Sequence, residues 1–172
     1  AARELSPSAV QKLAQAGDAK AQYLLANAYE SGQGLSREPK LAAEWFEKAA
    51  GQNLAPAQYR LGSLYEKGIG VKRDLDKAMA LYRKAAEHGN VRAMHNLAVL
   101  TAEGGRDGKP DYTVAAQWFR KAAEYGIHDS QYNLAILLAR GLGVSQNLPL
   151  SYTWFAIAAS QGDEDAGKKR DD

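Results

Sequence analysis

Ala57-Gln58-Tyr59-Arg60-Leu61-Gly62 is the stretch on which the reading of this chain turns, because it recurs. Its counterparts are Ala21-Gln22-Tyr23-Leu24-Leu25-Ala26, Ala93-Met94-His95-Asn96-Leu97-Ala98 and Ser130-Gln131-Tyr132-Asn133-Leu134-Ala135, at spacings of 36, 36 and 37 residues. A second motif keeps step with the first: Trp45-Phe46-Glu47-Lys48-Ala49-Ala50, Leu81-Tyr82-Arg83-Lys84-Ala85-Ala86, Trp118-Phe119-Arg120-Lys121-Ala122-Ala123 and Trp154-Phe155-Ala156-Ile157-Ala158-Ala159. Self-similarity at 20–50 residues marks stacked supersecondary units, none of which buries its apolar face alone.

Each motif spaces its apolar and small residues as a helix does: Ala21, Leu25 and Ala28 in the first, Ala42, Trp45, Phe46 and Ala49 in the second. Between them stand Gly32-Gln33-Gly34-Leu35, Gly68-Ile69-Gly70-Val71 and Gly141-Leu142-Gly143-Val144, where a glycine past the last periodic residue closes the helix in the left-handed conformation. Leu35, Val71 and Val144 are expected to fold back and seal the corner. Ala26, Gly62, Ala98 and Ala135 mark where the first helix presses on the second, and a bulky residue there overpacks the pair by about 1–3 kcal/mol. The third unit departs from its siblings, with Glu103-Gly104-Gly105-Arg106-Asp107-Gly108-Lys109-Pro110 in place of the compact corner. The expected organisation is a preceding or capping helix over 1–17, repeats at 18–53, 54–89, 90–126 and 127–162, and the start of a further or capping helix over 163–172. Both ends read either as cuts through a longer array or as caps.

Composition agrees with an all-α class. Thirty-two of the 172 residues are alanine, the best helix former and the residue that lets helices approach closely. Valine, isoleucine and threonine are few, which argues against a large sheet. Twenty-two Lys and Arg against 20 Asp and Glu leave a net charge of +2, with the two signs interspersed. The densest basic run is Lys168-Lys169-Arg170, too short to track a phosphate backbone, so nucleic acid is not an expected partner. No apolar run reaches 18 residues, so no membrane contact by this segment is expected. The chain has no cysteine, hence no thiolate nucleophile and no Cys-based zinc site.

The combination Ala-x-x-x-Leu-Gly/Ala-x-x-Tyr, Gly-x-Gly-Val and Trp-Phe/Tyr-x-Lys-Ala-Ala-x-x-Gly resembles the Sel1-like repeat, a relative of the tetratricopeptide repeat. The resemblance runs through four units from Asp18 to Gly162. It implies a right-handed α/α superhelix that presents an adaptor surface to other proteins, often in bacterial envelope signalling. A narrower likeness rests on Ala55-Pro56-Ala57-Gln58-Tyr59-Arg60-Leu61-Gly62, Ala93 to Leu100, Asp111-Tyr112 leading to Trp118-Phe119, and Tyr152 to Ala159. These stretches are similar to the periplasmic repeat region of alphaproteobacterial polar localisation factors, which are single-pass membrane scaffolds. That likeness implies a periplasmic module with envelope protein partners, organising cell-pole assembly and signalling. Periplasmic regulators of sensor kinases share similar wording, and docking on peptidoglycan through exposed tyrosines and the third-unit loop is the alternative from another class.

Arrays of this kind normally recognise partners along their first helices. On a helical wheel, positions 21, 25, 28 and 29 cluster on one side and leave 23, 27 and 30 on the other. The expected partner-binding ladder is therefore Tyr23, Asn27 and Glu30; Tyr59, Ser63 and Glu66; His95, Val99 and Ala102; Tyr132, Ile136 and Ala139. It changes from polar and acidic to apolar along its length, with Val99 and Ile136 expected to be exposed beside Tyr132. A competing reading has the tyrosines packing on neighbouring units and the two aliphatics in the core.

No catalytic, metal or cofactor site is expected. His88, His95 and His128 fall at different places in the repeat, and no pair shares a helix face at ligand spacing. The Gly-x-Gly corners follow helices with no preceding strand, so they are turns and not phosphate cradles. Ser31, Ser36, Ser63, Ser130, Ser145, Ser151 and Ser160 lack a nucleophile-elbow context and an evident histidine partner. Asp74 with Asp76, and Asp163 with Asp165, sit at expected helix starts, where carboxylates satisfy free N–H groups.

Overall fold

The computed structural model describes residues 6–161, and the expected elements over 163–172 lie outside them. Among the described residues the regular structure is helical throughout: α1 (Pro7–Gln15), α2 (Ala19–Ser31), α3 (Pro39–Gly51), α4 (Ala55–Lys67), α5 (Leu75–Glu87), α6 (Val91–Glu103), α7 (Tyr112–Glu124), α8 (His128–Arg140) and α9 (Leu148–Ser160), with a 3₁₀ turn at Gly105–Asp107. The chain divides into two compact units, Ala1–Asn90 and Val91–Asp172. Unit 1 holds the hairpins α2/α3 and α4/α5 with α1 packed on α2 and α3 on α4; unit 2 holds α6/α7 and α8/α9 with α7 packed on α8. This is the all-α architecture of stacked helix hairpins, an α solenoid.

Local chemistry sets the helix ends. Asp18, Asp74, Asp111 and Asn147 are N-caps whose side chains accept from the backbone N–H three residues on, at 2.8–3.1 Å. Each such cap stabilises by about 1 kcal/mol. At the other end, Gly32, Gly68 and Gly141 take left-handed conformations and bond back to the last turn. A side chain then reaches back from the loop: Arg37 Nε donates to the Glu30 carbonyl, Arg73 Nε to that of Glu66 and Gln146 Nε2 to that of Ala139, at 2.9–3.2 Å. Leu35, Val71 and Val144 are half-buried against the cores beneath them.

The second glycine of each corner has a separate cause. A Cβ on Gly70 would lie 2.6 Å from the Pro39 carbonyl carbon at the start of α3, and one on Gly143 would lie 2.5 Å from the Thr113 nitrogen at the start of α7. Each corner therefore rests directly on the backbone of the preceding repeat. A Cβ on Gly34 would meet nothing within 4 Å among the described residues.

Alanine makes the inter-helix layers thin. Ala26, Ala98 and Ala135 are fully buried, as are Ala42, Ala78, Ala85, Ala115 and Ala122 on the second helices. At the remaining position, a Cβ on Gly62 would sit 2.9 Å from ring carbons of Tyr82, so Gly62 makes room for the fully buried tyrosine of α5.

Three buried glutamines, unassigned by the sequence reading, tie consecutive repeats together. Gln22 Nε2 donates to the Ala14 carbonyl, Gln58 Nε2 to that of Ala50 and Gln131 Nε2 to that of Ala123, always eight residues upstream at 3.0–3.2 Å. Gln22 Oε1 accepts from Gln52 Nε2 at 2.9 Å, and Gln58 Oε1 accepts from His88 Nδ1 at 3.1 Å. Gln131 Oε1 is buried and has no hydrogen-bond partner among the described residues, although the register of Gln52 and His88 places Gln161 at its donor position. Met94 takes the glutamine place in the third repeat.

Candidate functional site

In unit 1 the face formed by α2 and α4 carries Tyr23, Asn27, Glu30, Tyr59, Ser63 and Glu66, all half-buried. Tyr23 tilts against Phe46 with ring centroids 5.9 Å apart, and Tyr59 meets Tyr82 at the same separation. Each tyrosine thus packs on the second helix of its own hairpin while keeping one side open. The Arg60 guanidinium pairs with the Glu30 carboxylate across α2 and α4 and lies over the Phe46 ring, 6.0 Å from its centroid. The Tyr82 hydroxyl donates to Glu66 Oε1 at 2.7 Å. Both acidic side chains of this face are therefore held by protein donors.

The corresponding face of unit 2 is built on α6 and α8 and differs in chemistry. His95 stands where the other repeats have tyrosine, and its ring meets Phe119 edge-on at 5.9 Å; Tyr132 meets Phe155 at 5.2 Å. Below the rings follow Val99 and Ala102 on α6 and Ile136 and Ala139 on α8. Val99 and Ile136 were expected to be exposed, but both are half-buried, because Val99 leans on the core of Ala98, Phe119 and Leu134. Tyr132 is the open residue of the strip, at 45% exposure. Burial holds the His95 imidazole below its ordinary pKa of 6.5, partly offset by Asp129 and reinforced by His128. It is accordingly neutral at pH 7, which leaves these six positions without charge.

One expectation fails here. Ser130 was read as having no histidine partner, yet its Oγ lies 2.6 Å from His95 Nδ1. Ser130 replaces the alanine of the other repeats and is fully buried, so the pair joins α6 to α8 and offers no nucleophile to a substrate. His128 contacts Asp129 at 3.0 Å, and His88 is engaged by Gln58. Among the described residues no group of three or more His, Cys, Asp or Glu side chains could hold a metal ion. No described helix is long and apolar enough to cross a membrane. A shallow depression of about 470 Å³ lies beside α3, lined by Lys40, Glu44, Glu47, Lys48, Tyr65 and Val71. Its two lysines and two glutamates balance, so it selects neither anion nor cation.

The sequence reading missed Arg60 as the link between neighbouring first helices, and it did not pair the first-helix rings with Phe46, Tyr82, Phe119 and Phe155. Strict recurrence of an aromatic at that second-helix position was the available signal.

Helix hairpins stacked through thin alanine layers, with an aromatic-lined face on the first helices, define an α-solenoid repeat scaffold. The Sel1 repeat profile matches residues 19–54, 55–90, 91–126 and 128–163, and the chain belongs to the Sel1 repeat family. Sel1 repeats are generally protein-interaction modules. The chain is similar to the crystal structure of a Sel1 repeat protein from Oxalobacter formigenes, with 34% identity, a TM-score of 0.85, and coverage of 94% of this chain and 66% of that one. It is likewise similar to a protective antigen of uropathogenic Escherichia coli strains displaying an SLR fold, with 34% identity, a TM-score of 0.88, and coverage of 95% and 35%. Cysteine rich protein B of Helicobacter pylori shares the fold at 24% identity and a TM-score of 0.58, over 77% of this chain and 94% of that one. The chain therefore spans about two thirds of the first of these relatives and about a third of the second. No curated protein matches the chain.

Proposed function

We propose that this chain is a non-enzymatic scaffold that docks a protein partner in the bacterial envelope on the first-helix face, chiefly that of unit 2. The observation that carries the reading is the uncharged strip of Val99, Ala102, Ile136 and Ala139 beside the open ring of Tyr132. Half-buried aliphatics flanked by an anchored aromatic suit an apolar side chain of a partner, since little further ordering accompanies its burial. The internally paired Glu30–Arg60 and Glu66–Tyr82 groups of unit 1 present polar atoms in fixed places, which favours register over affinity.

The finer form of the proposal places the chain in the periplasm as the Sel1-like module of a polar localisation factor similar to PodJ. The stretches from Ala55 to Gly62, from Ala93 to Leu100 and from Tyr152 to Ala159 support it.

The test is a crosslinking pull-down from an alphaproteobacterial envelope fraction with the 172-residue chain as bait and Tyr132→Ala/Ile136→Ala as control. Enrichment of one envelope protein by the parent, reduced at least tenfold by the double variant, supports the scaffold and its site. Equal capture by both removes the site. Recovery of cell-wall fragments instead of protein replaces the proposal with peptidoglycan docking.

A further inference from the structure

Two carboxylates hold the same place in successive repeats of unit 1 and are satisfied differently. Glu30 on α2 and Glu66 on α4 are 36 residues apart, as are Phe46 on α3 and Tyr82 on α5. Glu30 meets a cation from within the chain, since the Arg60 guanidinium pairs with its Oε1 and lies over the Phe46 ring. The residue 36 positions after Arg60 is Asn96, which carries no charge. Glu66 receives the neutral Tyr82 hydroxyl on Oε1 at 2.7 Å, and Arg73 bonds its backbone carbonyl, not its carboxylate. Among the described residues no cation pairs with Glu66, and its second oxygen is neither hydrogen-bonded nor buried.

We infer that the Glu66 carboxylate seats an arginine side chain of a protein partner. The inference rests on the first-helix face being a docking face and names the chemistry of one contact on it. Of the six positions on the α2/α4 face, Glu30 is balanced by Arg60, and Glu66 alone keeps an unbalanced charge, so the complement is cationic. The fully buried Tyr82 fixes the carboxylate through its hydroxyl, so little ordering accompanies binding. Because the Tyr82 ring is covered, the aromatic surface offered to a ligand is that of half-buried Tyr59. Tyr59 precedes Glu66 by seven residues, about 10 Å along the helix, with the small Ser63 between them. An extended arginine lays its methylenes over Ser63 and Tyr59 while its head pairs with Glu66. Lysine fits less well, because its point charge lacks the planar fork that bonds a carboxylate through two parallel N–H groups.

The test is an NMR titration of the purified, isotope-labelled full chain with the tripeptide acetyl-alanyl-arginyl-alanine amide at low ionic strength, where one charge contact is least screened. It is run beside the lysine peptide and the citrulline peptide, a neutral isostere of the arginine one. The expected result is saturable amide shifts centred on Tyr59, Ser63 and Glu66, with a Kd on the order of 1 mM for arginine, weaker binding of lysine and none of citrulline. Glu66→Gln, which keeps an acceptor for the Tyr82 hydroxyl, should weaken arginine binding about tenfold with an unchanged thermal melt. No saturable shift in the parent, equal binding of citrulline or lysine, shifts centred on another helix, or a folded Glu66→Gln that binds as the parent does would each overturn the inference. If Glu66→Gln loses its fold, the arginine, lysine and citrulline comparison on the parent decides. No envelope partner enters this titration, so its failure leaves the docking face standing, whereas failure of the pull-down removes that face and leaves arginine binding measurable.

Discussion

Replacing the second glycine of each corner by alanine separates two costs that usually travel together. Gly34, Gly70 and Gly143 have φ of +79°, +73° and +69°, so Gly→Ala imposes the same left-handed strain at all three, about 1–2 kcal/mol. Among the described residues only Gly70 and Gly143 lie against the backbone of a preceding second helix, where an added Cβ would fall within 2.6 Å of the Pro39 carbonyl carbon or 2.5 Å of the Thr113 nitrogen. A backbone neighbour cannot rotate aside, so overpacking adds about 1–3 kcal/mol at those two sites. For a chain of this size 1 kcal/mol corresponds to about 3 °C, so the extra loss is about 3–9 °C. The assay is thermal and urea unfolding followed by far-UV circular dichroism. Gly34→Ala should fall by about 3–6 °C, with Gly70→Ala and Gly143→Ala clearly below it. Equal losses in all three variants would refute the claim that the corners seat on the preceding repeat.

His95 titrates below its unfolded value because burial disfavours the imidazolium, so the folded state binds fewer protons between the two pKa values. Stability is then fully present above pH 6.5 and declines as the pH falls through that window. The melting midpoint should drop between pH 7.5 and 5.5 more in the parent than in His95→Tyr, which installs the residue of the other three repeats. Gly62→Ala should destabilise by about 1–3 kcal/mol against the Tyr82 ring, and Tyr82→Phe in the same chain should not restore it, since the contact is with ring carbons and not the hydroxyl.

Much of the fold was legible because four copies of one pattern repeat its errors as well as its rules. Helix type, the corner glycines and the alanine layer follow from periodicity and small-residue recurrence alone. What sequence reasoning left out are contacts between elements far apart in the chain. The glutamine at 22, 58 and 131 recurs beside the core alanines, but nothing local says that its partner is a carbonyl eight residues upstream. His95 and Ser130 are 35 residues apart, and each breaks the pattern, Tyr to His and Ala to Ser. Two departures in adjacent repeats at touching positions are a signal visible in the alignment of the chain with itself. Gly62 and Tyr82 depart together in the same way, the extra ring space being given by the missing methyl. At the candidate face the wheel separated outward from packed positions, yet it could not reveal that the first-helix rings pack on Phe46, Tyr82, Phe119 and Phe155.

Site-specific photocrosslinking tests the scaffold claim most directly. A benzophenone side chain is placed at Tyr132 on the first-helix face of unit 2, and in a second chain at exposed Gln117 on the outward side of α7. Both chains are irradiated in an alphaproteobacterial envelope fraction. The account predicts a discrete protein adduct from the Tyr132 position and none from Gln117. An adduct from Gln117 with none from Tyr132 would contradict it.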